Sequence, residues 1–333
     1  MTGTATLRVV LATLAAFAMP ENTVAQSDPA PLRLETKIPL GDVTGRIDHM
    51  AVDLARRRLF VAELGNNSVG VVDLDKGAVL RRISGLREPQ GVAYLPATDS
   101  LYVANAGDGV VRVFRGADYA DAGQIALGAD ADNIRFDSTA QRLVVGYGNG
   151  ALALIEPAAR EKSASYALPA HPESFQIDAK TDRIFVNVPS AHAIVVLDRV
   201  AGKQLASWPM RHGGNFPMML DAEQQRVFSV FRSPAKLAAF ATGSGRPLFE
   251  ADVCGDSDDL FLDSKRRRVY VSCGEGAVDV FEEKGGGLQR TARVPSVGGA
   301  RTSLFVPDID RLFVAVRARG EERAAIWVYR PAP

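Results

Sequence analysis

Seven short apolar runs recur along the chain at a nearly constant interval. Aligned on their first apolar residue they begin at Leu59, Leu101, Leu143, Ile184, Val227, Val269 and Leu312, with spacings of 42, 42, 41, 43, 42 and 43 residues. The runs, among them "LFVAE", "LYVAN", "IFVNV" and "VYVSC", are rich in β-branched and aromatic residues and too short for helices. Each is followed by a second run such as "VGVVDL" or "VRVFRG" and preceded by a third such as "HMAVD" or "NIRFD". Most units add a fourth, such as "VLRRISGL". Four strands per unit of about 42 residues is the pattern of a β-propeller blade. The count therefore predicts an all-β, seven-bladed β-propeller with blades at about 46–86, 87–128, 129–169, 170–210, 211–253, 254–296 and 297–331.

Closure of the ring is legible too. The seventh unit stops after its third strand, while "PLRLETKIPL", residues 31–40, reads as a fourth strand with no unit of its own. The N-terminal strand is expected to complete the last blade and remove the only open edge. A β-sandwich also uses short strands at even spacing, but one period held along the whole chain argues against it. A solenoid would need atypical caps at both ends, where this chain has a missing strand at one end and a spare at the other.

The repeats "LFVAELGNNSVGVVDLDKG" and "LYVANAGDGVVRVF" resemble those of YVTN-type, or YncE-like, propellers. In that family an apolar run ending Ala-Asn meets a Gly or Asn turn and then a run ending near Asp. The resemblance covers residues 31–331, and blades four and five depart from it at "NVPSAHAIVVLD" and "VFRSPAKLAAF". It implies the fold and leaves function open, because proteins of this architecture include exported proteins of unknown role, sugar lactonases and electron-transfer subunits.

The N-terminus departs from the repeat. Arg8 precedes the apolar stretch "VVLATLAAFAM", residues 9–19, which is followed by Pro20 and a polar segment holding Thr23 and Ala25. This is the layout of a signal peptide over residues 1–25, cleaved after Ala25. The apolar run is too short to span a bilayer, so the expected product is a periplasmic or secreted monomer without a membrane span. Export places the only two cysteines, Cys254 and Cys273, where pairing is favoured. With 39 basic against 39 acidic residues, no overall field draws nucleic acid.

Much of the charge is repeat chemistry. Asp53 and Arg58, and four equivalent pairs as far as Asp263 and Arg268, flank the first hairpin of five blades, where a charge-assisted bond would hold the turn. The clusters "ARRR", residues 55–58, and "KRRR", residues 265–268, fall in the same hairpins and read as a solvated face. The "GNN", "GDG", "GNG" and "GEG" segments read as turns needing positive φ.

What is not repeated marks a site. First strands line a propeller's channel, and the position eleven before each anchor holds Asp48, Gln90, Asp132, Glu173, Phe216, Asp258 and Arg301. The next holds His49, Gly91, Asn133, Ser174, Pro217, Asp259 and Thr302. The expected ligand-binding ring is Asp48, His49, Gln90, Asp132, Asn133, Glu173, Asp258, Asp259 and Arg301. So many carboxylates repel one another unless a cation, a proton or a ligand relieves them. Asp48, His49, Asn133 and Asp258 could ligate a divalent metal such as Ca, Mg or Zn, and Arg301 could grip an oxyanion. A metal site, an organic-ligand site and a plain polar channel all fit. "GADADN" and "CGDSDD" echo each other at the rim, adding Asp130 and Asp256 as candidates, and the four histidines, His49, His171, His192 and His212, share this face.

No nucleophile–base–acid set can be placed, so catalytic residues stay unassigned. The expected function is an exported binding module whose acidic channel mouth takes a small molecule, a metal ion or a periplasmic protein partner. The alternatives are a metal-dependent hydrolase of the lactonase kind, acting through metal-bound water, and a subunit of a periplasmic electron-transfer assembly.

Overall fold

The computed structural model describes residues 1–5 and 30–333, so most of the expected signal peptide lies outside the described residues. Within them the chain forms a seven-bladed β-propeller of four-stranded antiparallel sheets. Six blades take their strands consecutively, and the seventh is closed by the N-terminal strand Leu32–Pro39 on Ala325–Pro331. Leu32 pairs with Pro331 and Ile38 with Ile326, so the ring is latched along a full strand. Among the described residues no helix is long and apolar enough to cross a membrane.

The core is divided into seven clusters, each shared by two adjacent blades. Phe185 and Trp208 of blade four, for example, pack with Met218, Phe231 and Ala238 of blade five. The second and third strands are buried on both faces, as in Ser68–Asp73, which explains why they read as unbroken apolar runs. Fourth strands such as Ala78–Ser84 are mostly exposed on the outer rim.

The first hairpins are held differently from expectation. Asp53 and Arg58 face each other in register, yet Asp53 accepts the backbone N–H of Arg56 at 3.1 Å and Arg58 pairs with Asp73. Asp178 accepts the N–H of Lys180 at 3.0 Å, while Arg183 donates to the carbonyl of Thr242 at 2.8 Å. Only Asp221 and Arg226 pair closely, at 2.7 Å; Asp137 and Arg142 stand 3.9 Å apart. Each aspartate is committed to its own turn as an Asx turn, which frees the arginine to reach another strand or the next blade.

The basic clusters are likewise not simply solvated. Arg56 makes two 2.7 Å hydrogen bonds to Asp99 in blade two. Arg266 does the same to Asp310 in blade seven and also bonds Asp263 at 2.9 Å. Bidentate geometry of this kind suits a clamp between blades. Arg57, Lys265 and Arg267 are the most exposed cations of these clusters.

The disulfide between Cys254 and Cys273 is present, with Cα atoms 5.8 Å apart. It joins the lead-in of blade six to the end of that blade's second strand. A disulfide, and no membrane-crossing helix among the described residues, are compatible with a periplasmic or extracellular protein.

Arg266→Ala should cost about 3 kcal/mol, because it strands Asp263 as a buried charge without its partner. Arg57→Ala, at an exposed pair, should change stability by under about 0.5 kcal/mol. Urea unfolding of both variants checks the contrast.

Candidate functional site

The channel mouth is shaped by irregularities in the first strands. Ladder register shifts between Pro89 and Val92, Ala131 and Ile134, Asn215 and Met218, and Ser257 and Asp259. The bulged residues are those the repeat register singled out: Gln90, Asp132 with Asn133, Phe216 with Pro217, and Asp258. In blades one and four the ladder is loosened instead, with single bonds such as Asp48 N–H to Ala62 at 2.7 Å and Glu173 N–H to Asn187 at 3.0 Å. A bulge re-aims side chains out of the pleat, and here it turns them inward around a common opening.

That opening is a cavity of about 290 Å³. Asp48, His49, Gln90, Asp132, Asn133, Glu173, Asp258 and Arg301 all line it, so the structure brings together eight of the nine expected residues. Asp259 is the exception: it lies deeper, against the next cavity, where it accepts the N–H of Ser303 at 2.7 Å. The mouth also holds Arg46, Arg232 and His171, which turn the expected acidic ring into a charge-compensated one. Arg46 pairs with Asp48 at 2.5 Å. Arg232 bonds Asp258 at 2.6 Å and lies 3.7 Å over the Phe216 ring. Arg301 reaches Asp256 at 2.8 Å and Asp258 at 2.9 Å. His171 faces Asp130 and Asp132 at 3.5 and 3.8 Å.

The expected metal set is not assembled as a cage. Among the described residues no three His, Cys, Asp or Glu side chains converge as metal ligands. Asp48 is committed to Arg46, and Asp258 to two arginines, so their oxygens already have cations. Of the histidines, only His49 and His171 line the mouth. His212 bonds Glu250 at 2.8 Å outside it, and His192 is exposed in a hairpin turn. The echo between "GADADN" and "CGDSDD" is a shared turn: Asp130 and Asp256 both have left-handed backbone, with φ of 41° and 56°. Their carbonyls accept the N–H of Gly148 and Gly274. The disulfide flanks the second of these turns.

Burial and repulsion set the titration of the site. Burial, then the neighbouring Asp132, push the Glu173 carboxyl up to about 8. Burial works against a charge on His49, but Asp259, Asp48 and Asp132 outweigh it and hold the imidazole at about 10. A bond to Asp132 raises His171 to about 9 against the opposing effect of burial. Both imidazoles are therefore cations at neutral pH. Glu173 makes no ion pair within 4 Å and no side-chain hydrogen bond among the described residues, and the nearby His171 and Arg232 only partly offset the upward push.

No protein-family model matches the chain, and no curated protein matches it. Solved structures do. A chain of Kuenenia stuttgartiensis hydrazine synthase superposes with a TM-score of 0.73 at 15% identity, covering 87% of this chain and 97% of that one. The WD40 repeats of RRP9 give 0.76 at 12% identity over 91% and 98%. A chain of the mitotic checkpoint complex gives 0.72 at 12% over 97% and 98%. At such identity the likeness is one of fold.

Because the Glu173 carboxyl is raised from an ordinary 4.5 to about 8, its protonated form is the one the fold favours. Below pH 4.5 it is neutral folded and unfolded, and Glu173→Gln should change little. Between pH 4.5 and about 8 the unfolded chain gives up this proton while the fold holds it, so the variant should gain steadily across that window, by an amount on the order of a few kcal/mol, and level off above about 8. Melting curves of both proteins from acid to alkaline pH check the sign.

Proposed function

We propose that the chain is a ligand-binding propeller whose channel mouth takes a small polar organic molecule carrying a protonated amine. One observation carries this reading. In a mouth where Asp48, Asp132 and Asp258 each face an arginine or a protonated histidine, Glu173 alone of the lining carboxylates makes no ion pair among the described residues. An ammonium group placed beside it would restore the ionised carboxylate and offset the cost of burial. Asn133 and Gln90 supply neutral donors and acceptors, and Arg46 and Arg301 supply positive field for an anionic or hydroxyl-bearing end of the same ligand. The cavity, about 290 Å³, is at the small end for ligand sites, which suits a metabolite better than a folded partner.

The site is read as a binding site, its lining supplying charge and hydrogen bonds for a ligand. The chain is also read as an exported, periplasmic or secreted member of the YVTN-type propellers. The leader-like residues 1–25 and the Cys254–Cys273 disulfide support export. The Ala104-Asn105 ending of the blade-two run and the Gly-bearing turns of the first two blades support the family.

A calorimetric panel of free amino acids and their N-acetylated forms tests the proposal. Amine-bearing members should bind, and acetylation or Glu173→Gln should each weaken binding about tenfold or more. Indifference to both changes would overturn it. On this reading a chelator leaves the melting temperature unchanged; a metal-dependent shift would favour the metal-assisted hydrolase instead.

A further inference from the structure

One level below the mouth, the residues eight before each anchor form a second ring around the channel. Blades three to seven contribute Arg135, Gln176, Met219, Phe261 and Leu304. Blades one and two contribute only Ala51 and Ala93, whose small side chains leave room. The five larger residues line a cavity of about 330 Å³ that shares His49, Asn133 and Ser174 with the mouth above.

Arg135 is the only charged residue of this ring, and its guanidinium is incompletely used. It donates to the Ser174 hydroxyl at 3.2 Å and lies 5.6 Å from the Phe175 ring. Its buried Nε has no hydrogen-bond partner, and it pairs with no carboxylate among the described residues. The acid that acts on it electrostatically, Asp259, lines the same cavity but is engaged elsewhere: it accepts the Ser303 N–H at 2.7 Å and faces His49 at 3.7 Å. A half-used guanidinium in a desolvated channel is costly unless an anion completes it. Opposite it, Met219, Phe261 and Leu304 offer an apolar wall and no competing charge.

We infer that this lower cavity binds a small carboxylate, its oxygens on the Arg135 guanidinium and the Ser174 hydroxyl, and its short aliphatic chain along Met219, Phe261 and Leu304. The bond geometry is available because a planar fork matches a carboxylate in bidentate fashion. The Gln176 side-chain N–H donates to the Met218 carbonyl at 2.6 Å, which fixes that amide beside the head group. This site is independent of the amine-binding reading of the mouth.

The test is calorimetric titration of the full protein with sodium acetate, butanoate and hexanoate, and separately with inorganic phosphate. Affinity should rise from acetate to hexanoate by about tenfold or more, as each added methylene leaves water for the apolar wall. Arg135→Gln should weaken hexanoate about tenfold or more, and Arg57→Ala, at an exposed pair away from the channel, should leave it unchanged. If Arg135→Gln does not fold, Arg135→Lys keeps the charge without the fork and should still show weakened binding. Phosphate binding as well as hexanoate, no dependence on chain length, or hexanoate binding indifferent to both Arg135 variants would each overturn the inference.

Discussion

A four-stranded sheet whose two middle strands are apolar on both faces has no stable existence alone, and every blade here has that character. Its faces are covered only by the blade before and the blade after. The seven inter-blade clusters are therefore a closed set of mutual debts, in which the loss of any one layer exposes two blades. The arginine clamps from Arg56 to Asp99 and from Arg266 to Asp310 add direction to this non-directional packing. They fix how one blade is rotated against the next. That rotation decides where the first strands point, and so what the channel contains.

The channel mouth shows what closure does to chemistry. Residues from seven distant segments are forced into one opening, and their charges must then be reconciled. The solution is alternation: Arg46 against Asp48, Arg232 and Arg301 against Asp258 and Asp256, His171 against Asp132. Such a network holds its side chains in place, since each carboxylate has little freedom to leave its cation. Glu173 stands outside it. A group left unpaired in an otherwise reconciled network is where the free energy of binding is available, because the cost of burying it is already borne by the fold.

Reading the sequence reached the fold through counting and reached the mouth through register, since both depend only on periodicity. The positions eleven before each anchor did converge. What periodicity could not supply was the direction of side chains that break it. Arg232 sits at the end of a second strand, Arg226–Ser233, that runs two residues longer than its counterparts such as Arg183–Val188. Its signal was the poor match of "VFRSPAKLAAF" to the repeat, which marked departure without showing that a guanidinium would swing over Phe216. Arg46 precedes the first strand and belongs to no repeat position. Asp259 followed the register but lies below the mouth, because the bulge at Asp258 takes up one residue of the strand. The hairpin aspartates misled for a different reason: register neighbours are not partners when the backbone of the turn competes for the same oxygens.

The closing strand carries a consequence for biogenesis. Leu32–Pro39 emerges first, yet its partner Ala325–Pro331 is the last strand made. Until that strand is made the early segment has no strand to pair with and stays hydrated, an open edge that other chains could adopt. The native ring is thus assembled in order but becomes a circle only at the last moment, which makes that interval, and not the finished fold, the time of greatest exposure to aggregation.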